Sequence, residues 1–180
     1  MNGETLTRLW GMRLTFALVV CIILFFQLLP LETTPRQWVG PDLLLAFAFA
    51  WSLRRPDYVP SLALAGIFLL ADLVLQRPPG LWALLALLGC ENLKSRARGL
   101  RDSSFASEWL TVALAMTAVA VAYRLGLMVA LLDLPSIGLS FFELIMTVLF
   151  YPVVVAITHG VLGVRKTAPG DFEGSGGPAS

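Results

Sequence analysis

Charge in this chain is confined almost entirely to the gaps between six apolar runs, and the cations fall in every second gap. The runs cover residues 14–31, 39–53, 59–76, 80–93, 109–132 and 139–162. About 20 apolar residues at 1.5 Å each cross a hydrocarbon core roughly 30 Å thick. Each run is expected to be helical, because an open strand in lipid leaves its backbone amides unpaired. Runs two and four are short, so each must tilt little, thin the bilayer or be shielded by neighbouring helices. A composition of 57% hydrophobic and 14% charged residues, with mean hydropathy +0.78, excludes an ordinary soluble domain.

The charge pattern also gives a direction. With the N-terminus in the cytoplasm, Arg8, Arg13, Arg54, Arg55, Lys94, Arg96, Arg98, Arg101, Arg165 and Lys166 all lie inside. Only Arg36 and Arg77 lie outside, and Arg124 falls within the fifth run. Short loops are the regime in which positive residues reliably stay inside, so the expected fold is an all-α, six-helix membrane bundle, N-in and C-in. Residues 1–13 form its cytoplasmic N-terminus and residues 14–163 its transmembrane domain. Residues 164–180, rich in Gly, Pro, Ser and Thr, read as a disordered cytoplasmic tail. The first run is read as a retained anchor, since Leu31-Glu32-Thr33-Thr34-Pro35 offers no small-x-small cleavage site. Cys21 and Cys90 lie inside runs and have no metal or pairing spacing.

Ionisable groups inside a span need a partner or a wet cavity. Asp72, Arg124 and Glu143 come from three different runs and share one depth, near the outer ends. An ion pair between Asp72 and Arg124 is the expected arrangement, with snorkelling to the interface or a ligand site as alternatives. Glu91 and Lys94 are spaced for a local helix pair. His159 is alone and is expected to hydrogen-bond between helices. Ala115, Ala118, Ala122 and Gly126 form a small-residue face that more often seats a neighbouring helix than a second copy, although it permits a homodimer.

The segment 92–108 carries Lys94, Arg96, Arg98 and Arg101, followed by Ser103, Ser104 and Ser107 as a turn and helix start. These cations are expected to meet anionic lipids or to dock a cytoplasmic protein. No nucleophile, paired-Asp, His-Glu-x-x-His or phosphate-loop pattern occurs, so the chain is not expected to be an enzyme, and neither a cofactor nor a nucleic-acid partner is expected.

Arg55-Pro56-Asp57-Tyr58-Val59-Pro60, then Gly66, Asp72-Leu73, Gly80 and Ala83-Leu84, resembles the MreD family of bacterial rod-shape-determining membrane proteins. The resemblance covers length, number of spans and this central third. That family's most recognisable stretch is Gly-rich, runs into Asp-Leu and, after six residues, reaches Gly-x-x-Ala-Leu. The chain departs from it at Phe68, where relatives usually have Gly four residues before the Asp; Gly66 lies six before it. The resemblance implies a non-catalytic scaffold subunit of the cell-elongation, peptidoglycan-synthesising machinery in the inner membrane. It implies MreC as partner, and through MreC the MreB filament, RodA and a penicillin-binding transpeptidase. Asp72, Gly66 and Gly80 would be its structural or partner-binding residues, with Arg124 and Glu143 nearby. The family is also similar in architecture to the six-helix substrate-binding subunits of energy-coupling-factor vitamin transporters. Under that alternative, Asp72, Arg124 and Glu143 would line an outward pocket, although the short outer loops offer little to form a lid.

Overall fold

The computed structural model describes residues 3–29, 40–100 and 103–160. Arg36, Arg101, Arg165, Lys166 and the tail at 164–180 lie outside them. The described residues form six α-helices: α1 (Gly3–Leu28), α2 (Leu43–Arg54), α3 (Ser61–Val74), α4 (Leu81–Arg96), α5 (Phe105–Val129) and α6 (Ile137–Gly160). A 3-10 turn at Pro56–Tyr58 joins α2 to α3. Each apolar run is thus a helix. The largest outward shifts are at α1, which already begins at Gly3, and at α5, which begins four residues before Trp109.

Local chemistry sets the helix ends. The Asp42 side chain caps α2 by accepting from the Leu45 amide at 3.0 Å, and Ser104 caps α5 by accepting from Ser107 at 3.4 Å. Arg55, which precedes Pro56, is the first residue past α2 and is non-helical, consistent with the bar on helical backbone before proline. Helices α3 and α5 close alike. Arg77 N–H bonds Asp72 C=O at 2.9 Å and Leu132 N–H bonds Leu127 C=O at 3.1 Å, across Gln76 and Leu131, both at φ +54°. These are Schellman closures made without glycine.

Three helices, Thr7–Leu28 within α1, α5 and α6, are long and apolar enough to cross a membrane. At 12 residues, α2 spans only about 18 Å. Its neighbours compensate: α2 packs against α1, α4 and α6, and every residue from Leu44 to Arg54 is buried. Neighbouring helices therefore shield this short helix along its length. Phe16 of α1 stacks on Phe47 at 5.3 Å, and both rings meet Trp51, which in turn meets Tyr58. Gly89 of α4 makes the tightest crossing. A Cβ there would stand 2.6 Å from Phe49 Cζ and 3.1 Å from Val119 Cγ2, so α2, α4 and α5 converge on a position only glycine fills.

The outside of the bundle is apolar. Leu14, Leu18, Leu62, Leu114, Phe141 and Ile157 are among many large apolar side chains left exposed along its helices. On a water-soluble monomer such a surface would be an aggregation hazard; against lipid it is the ordinary exterior.

Polar contacts gather the helix ends into two sets. At one end Arg13 donates to Asp57 C=O at 3.3 Å, Arg54 meets Glu108, and Ser61 meets Glu91. At the other, Asp42 N–H donates to Thr147, Asp72 meets Gly80, and Arg124 meets Ser140. Successive helices run in alternating directions between these ends.

Candidate functional site

Asp72 sits in the last turn of α3 with no exposed surface, and its partners are not the expected ones. Its Oδ2 accepts from the Gly80 amide at 2.9 Å and the Ala83 amide at 3.1 Å. These are unsatisfied donors at the start of α4, where a carboxylate also opposes the positive end of the helix dipole. Gly80 makes the turn at φ +89°, a conformation that L side chains rarely adopt. The spacing Asp-Leu, six residues, Gly-x-x-Ala therefore describes one object, a helix hairpin closed by its own aspartate. Asp72 Oδ1 is buried without a hydrogen-bond partner among the described residues.

The expected Asp72–Arg124 pair does not form. Arg124 Nη1 instead donates to Ser140 Oγ at 3.2 Å, an α5–α6 contact. Among the described residues, an ion pair at this end joins two residues not singled out from the sequence, Arg77 Nη1 and Asp42 Oδ2, at 3.8 Å. Arg77 also lies over the Trp82 ring at 4.7 Å. Asp42 carried a legible signal as the capping residue before an apolar run, whereas Arg77 was read only as an outer-loop charge.

Gly66 is not packed within the bundle. It faces outward on α3, and a Cβ there would meet nothing within 4 Å, so no helix approaches closely at that point. Phe68 takes over the packing role: it is fully buried and meets Trp82 edge-to-face at 5.3 Å. This α3–α4 interface is filled by an aromatic pair.

Arg124 and Glu143 do share a space. A cavity of about 300 Å³ lies among α2, α4, α5 and α6, near the end of the bundle where Asp42 and Arg77 meet. Its polar lining includes Asp42, Arg77, Tyr123, Arg124, Ser140, Glu143 and Thr147; Asp72 is outside it. Leu45, Trp82, Met116, Val119, Leu127 and Leu144 supply apolar walls. A concave apolar space with a few convergent polar groups has the general form of a small-ligand site.

The opposite end holds a buried cluster that sequence reading missed. Arg54 Nε and Nη2 donate to Glu108 Oε1 and Oε2 at 2.8 and 3.2 Å, and the Tyr151 hydroxyl donates to Oε1 at 3.1 Å. Glu108 was placed in the loop before α5; it is instead in the first turn of that helix and wholly buried. The three residues tie α2, α5 and α6 together. Trp109 Nε1 adds a bond to Val148 C=O at 3.0 Å.

In the basic segment, Lys94 pairs with Glu91 at 2.8 Å as spaced, and Ser61 donates to the same carboxylate at 2.7 Å. Arg96 and Arg98 are exposed. His159 is exposed and makes no hydrogen bond to another described residue, so it is not the interhelical donor expected of it. Of the small-residue face on α5, Gly126 seats Leu81 of α4, whose Cδ1 would stand 2.8 Å from an added Cβ, whereas Ala118 is exposed.

No protein-family model, curated protein or solved structure matches the chain.

Proposed function

We propose that this protein is a six-span inner-membrane scaffold of the cell-elongation machinery, N-in and C-in, of the kind the MreD resemblance implies. The observation that carries this reading is the Asp72–Gly80–Ala83 hairpin closure. Three of the residues on which the resemblance rests are joined to one another, Asp72 capping α4 through the Gly80 and Ala83 amides. A motif of this kind specifies architecture rather than chemistry, as a scaffold requires. The alternating helix directions and the apolar exterior support the six-span topology, with Arg54, Arg96 and Arg98 at the cytoplasmic end. MreC is the expected direct partner, with MreB, RodA and a penicillin-binding transpeptidase reached through it. Exposed Arg96 and Arg98 are available to anionic lipids or to a cytoplasmic partner.

Affinity purification from native membranes tests the reading. Recovery of a bitopic elongation protein, together with rounding of rod-shaped cells on depletion, is the expected result. Normal rods after clean depletion, in cells without a paralogue, would remove it.

A second reading, a small-molecule-binding subunit of a membrane transporter, is favoured by one observation. The cavity beside Arg124 and Glu143 has ligand-site form and lies at the end that the charge pattern assigns to the outside. Such a subunit would co-purify with an ATPase module.

A further inference from the structure

We infer that the cavity among α2, α4, α5 and α6 binds a small amphiphilic monoanion, a carboxylate or phosphodiester on an apolar or aromatic body, with Arg124 as its charge partner. The inference deepens the second reading above, but the site itself does not require a transporter.

Most charges at the cavity are already engaged. Asp42 Oδ1 accepts from Leu45 N–H, and its Oδ2 faces Arg77 at 3.8 Å. Arg77 is held between that carboxylate and the Trp82 ring. Glu143 is engaged with other groups. Arg124 differs. Its guanidinium carries five N–H donors, and the hydroxyl of Ser140 is the acceptor it meets, with no carboxylate oxygen in ion-pair range among the described residues. A half-buried guanidinium between apolar helices is costly to leave in that state, and an oxyanion is the group whose geometry matches its planar fork.

The remaining lining narrows the class. Leu45, Trp82, Met116, Val119, Leu127 and Leu144 offer apolar and aromatic contact, so the anion must carry an apolar body. Asp42 and Glu143 stand in the same wall and repel a second negative charge, which disfavours dicarboxylates and phosphate monoesters. At about 300 Å³ the cavity is at the small end for ligand sites and suits a body about the size of one bicyclic ring.

The test uses the full chain, purified in detergent, with thermal unfolding measured against added 3-(indol-3-yl)propionate and its neutral amide. The acid is expected to raise the melting temperature saturably and to bind about tenfold or more tightly than the amide, the difference that one charge-assisted contact supplies. Arg124→Gln should abolish the preference for the acid. Arg124→Lys should retain it at reduced affinity. Ala120→Leu, which narrows the cavity and leaves Arg124 in place, should weaken acid and amide alike. Equal shifts from acid and amide, an undiminished preference in Arg124→Gln, or no saturable shift from either compound would overturn the site.

Nanodiscs of phosphatidylglycerol or phosphatidylcholine, analysed by native mass spectrometry, separate the two sources of such an anion. Retained phosphatidylglycerol that the indole acid displaces supports the site with a lipid phosphate as its occupant. Acid binding with no lipid displaced supports it with a free anion. Binding without a co-purifying ATPase keeps the site and removes the transporter reading; an ATPase without binding does the reverse.

Discussion

Glu108, four residues into α5, grips Arg54 at the end of α2 through both carboxylate oxygens, at 2.8 and 3.2 Å. Neither group reaches solvent appreciably: the carboxylate side chain is 0% exposed and the guanidinium side chain 9%. Forming such a pair contributes little net stability, because desolvation offsets most of the attraction, but breaking it from one side leaves a buried charge alone.

Glu108→Gln should therefore destabilise the bundle by about 3–5 kcal/mol. Tyr151→Phe, which removes one hydrogen bond to a charged acceptor, should cost about 1.5–3 kcal/mol. The double variant Arg54→Met with Glu108→Leu should recover most of the loss, because no stranded charge remains. Thermal unfolding in detergent distinguishes the cases. A double variant no better than Glu108→Gln alone would mean that the pair is not what holds α2 to α5.

The Asp72 hairpin gives a second set of expectations. Asp72→Ala leaves two amides at the start of α4 without their acceptor and should cost about 2–3 kcal/mol. Asp72→Asn, which keeps an acceptor oxygen, should cost less. Gly80→Ala meets no neighbouring atom, so its cost is conformational alone, about 1–2 kcal/mol at positive φ. Arg124→Leu should give no rescue of Asp72→Ala, since the two residues do not touch. Recovery of stability or protein level in that double variant would restore the ion pair that the geometry does not contain.

What could be read from the sequence was what is local along the chain. The helices follow from apolar runs, and Ser104 marks the start of α5, because capping chemistry acts over three or four residues. Glu91 and Lys94 were legible for the same reason. The Arg54–Glu108–Tyr151 cluster was not, because its members lie 54 and 43 residues apart. Each also had a sufficient local explanation: a topology signal, a loop acid and an aromatic in an apolar run. Asp72 was identified as the key intramembrane charge, but its partner was sought among cations. Backbone amides eight and eleven residues ahead bind its Oδ2, and they leave no mark in side-chain composition.

Two glycines on adjacent helices should respond oppositely to the same change. Gly89→Ala places a methyl against Phe49 and Val119 and should destabilise by about 1–3 kcal/mol, as overpacking does. Gly66→Ala fills open space on an exposed helix face and should stabilise by about 0.5–1 kcal/mol through backbone entropy. Phe49→Leu should relieve part of the Gly89→Ala defect. If Gly66→Ala proves the more damaging variant, then a surface outside this chain covers that face of α3.

The six-span topology is the expectation on which the sidedness of both sites depends. Arg96 ends α4 and Arg98 lies just past it, and Leu134 lies between α5 and α6, so α5 alone separates the two regions. Reporter fusions after Arg98 should read cytoplasmic and fusions at Leu134 should read the far side, because short cation-rich loops stay inside. Replacing Arg96 and Arg98 with Gln should leave the orientation intact, since Arg8, Arg13, Arg54 and Arg55 still bias the preceding gaps. The same change should weaken retention on anionic vesicles as salt rises, because exposed charges are screened over about 10 Å at 0.1 M. A cytoplasmic signal at Leu134 would mean that α5 does not cross; the Arg124 cavity would then not face outward, and the Arg54–Glu108 cluster would not mark the cytoplasmic end.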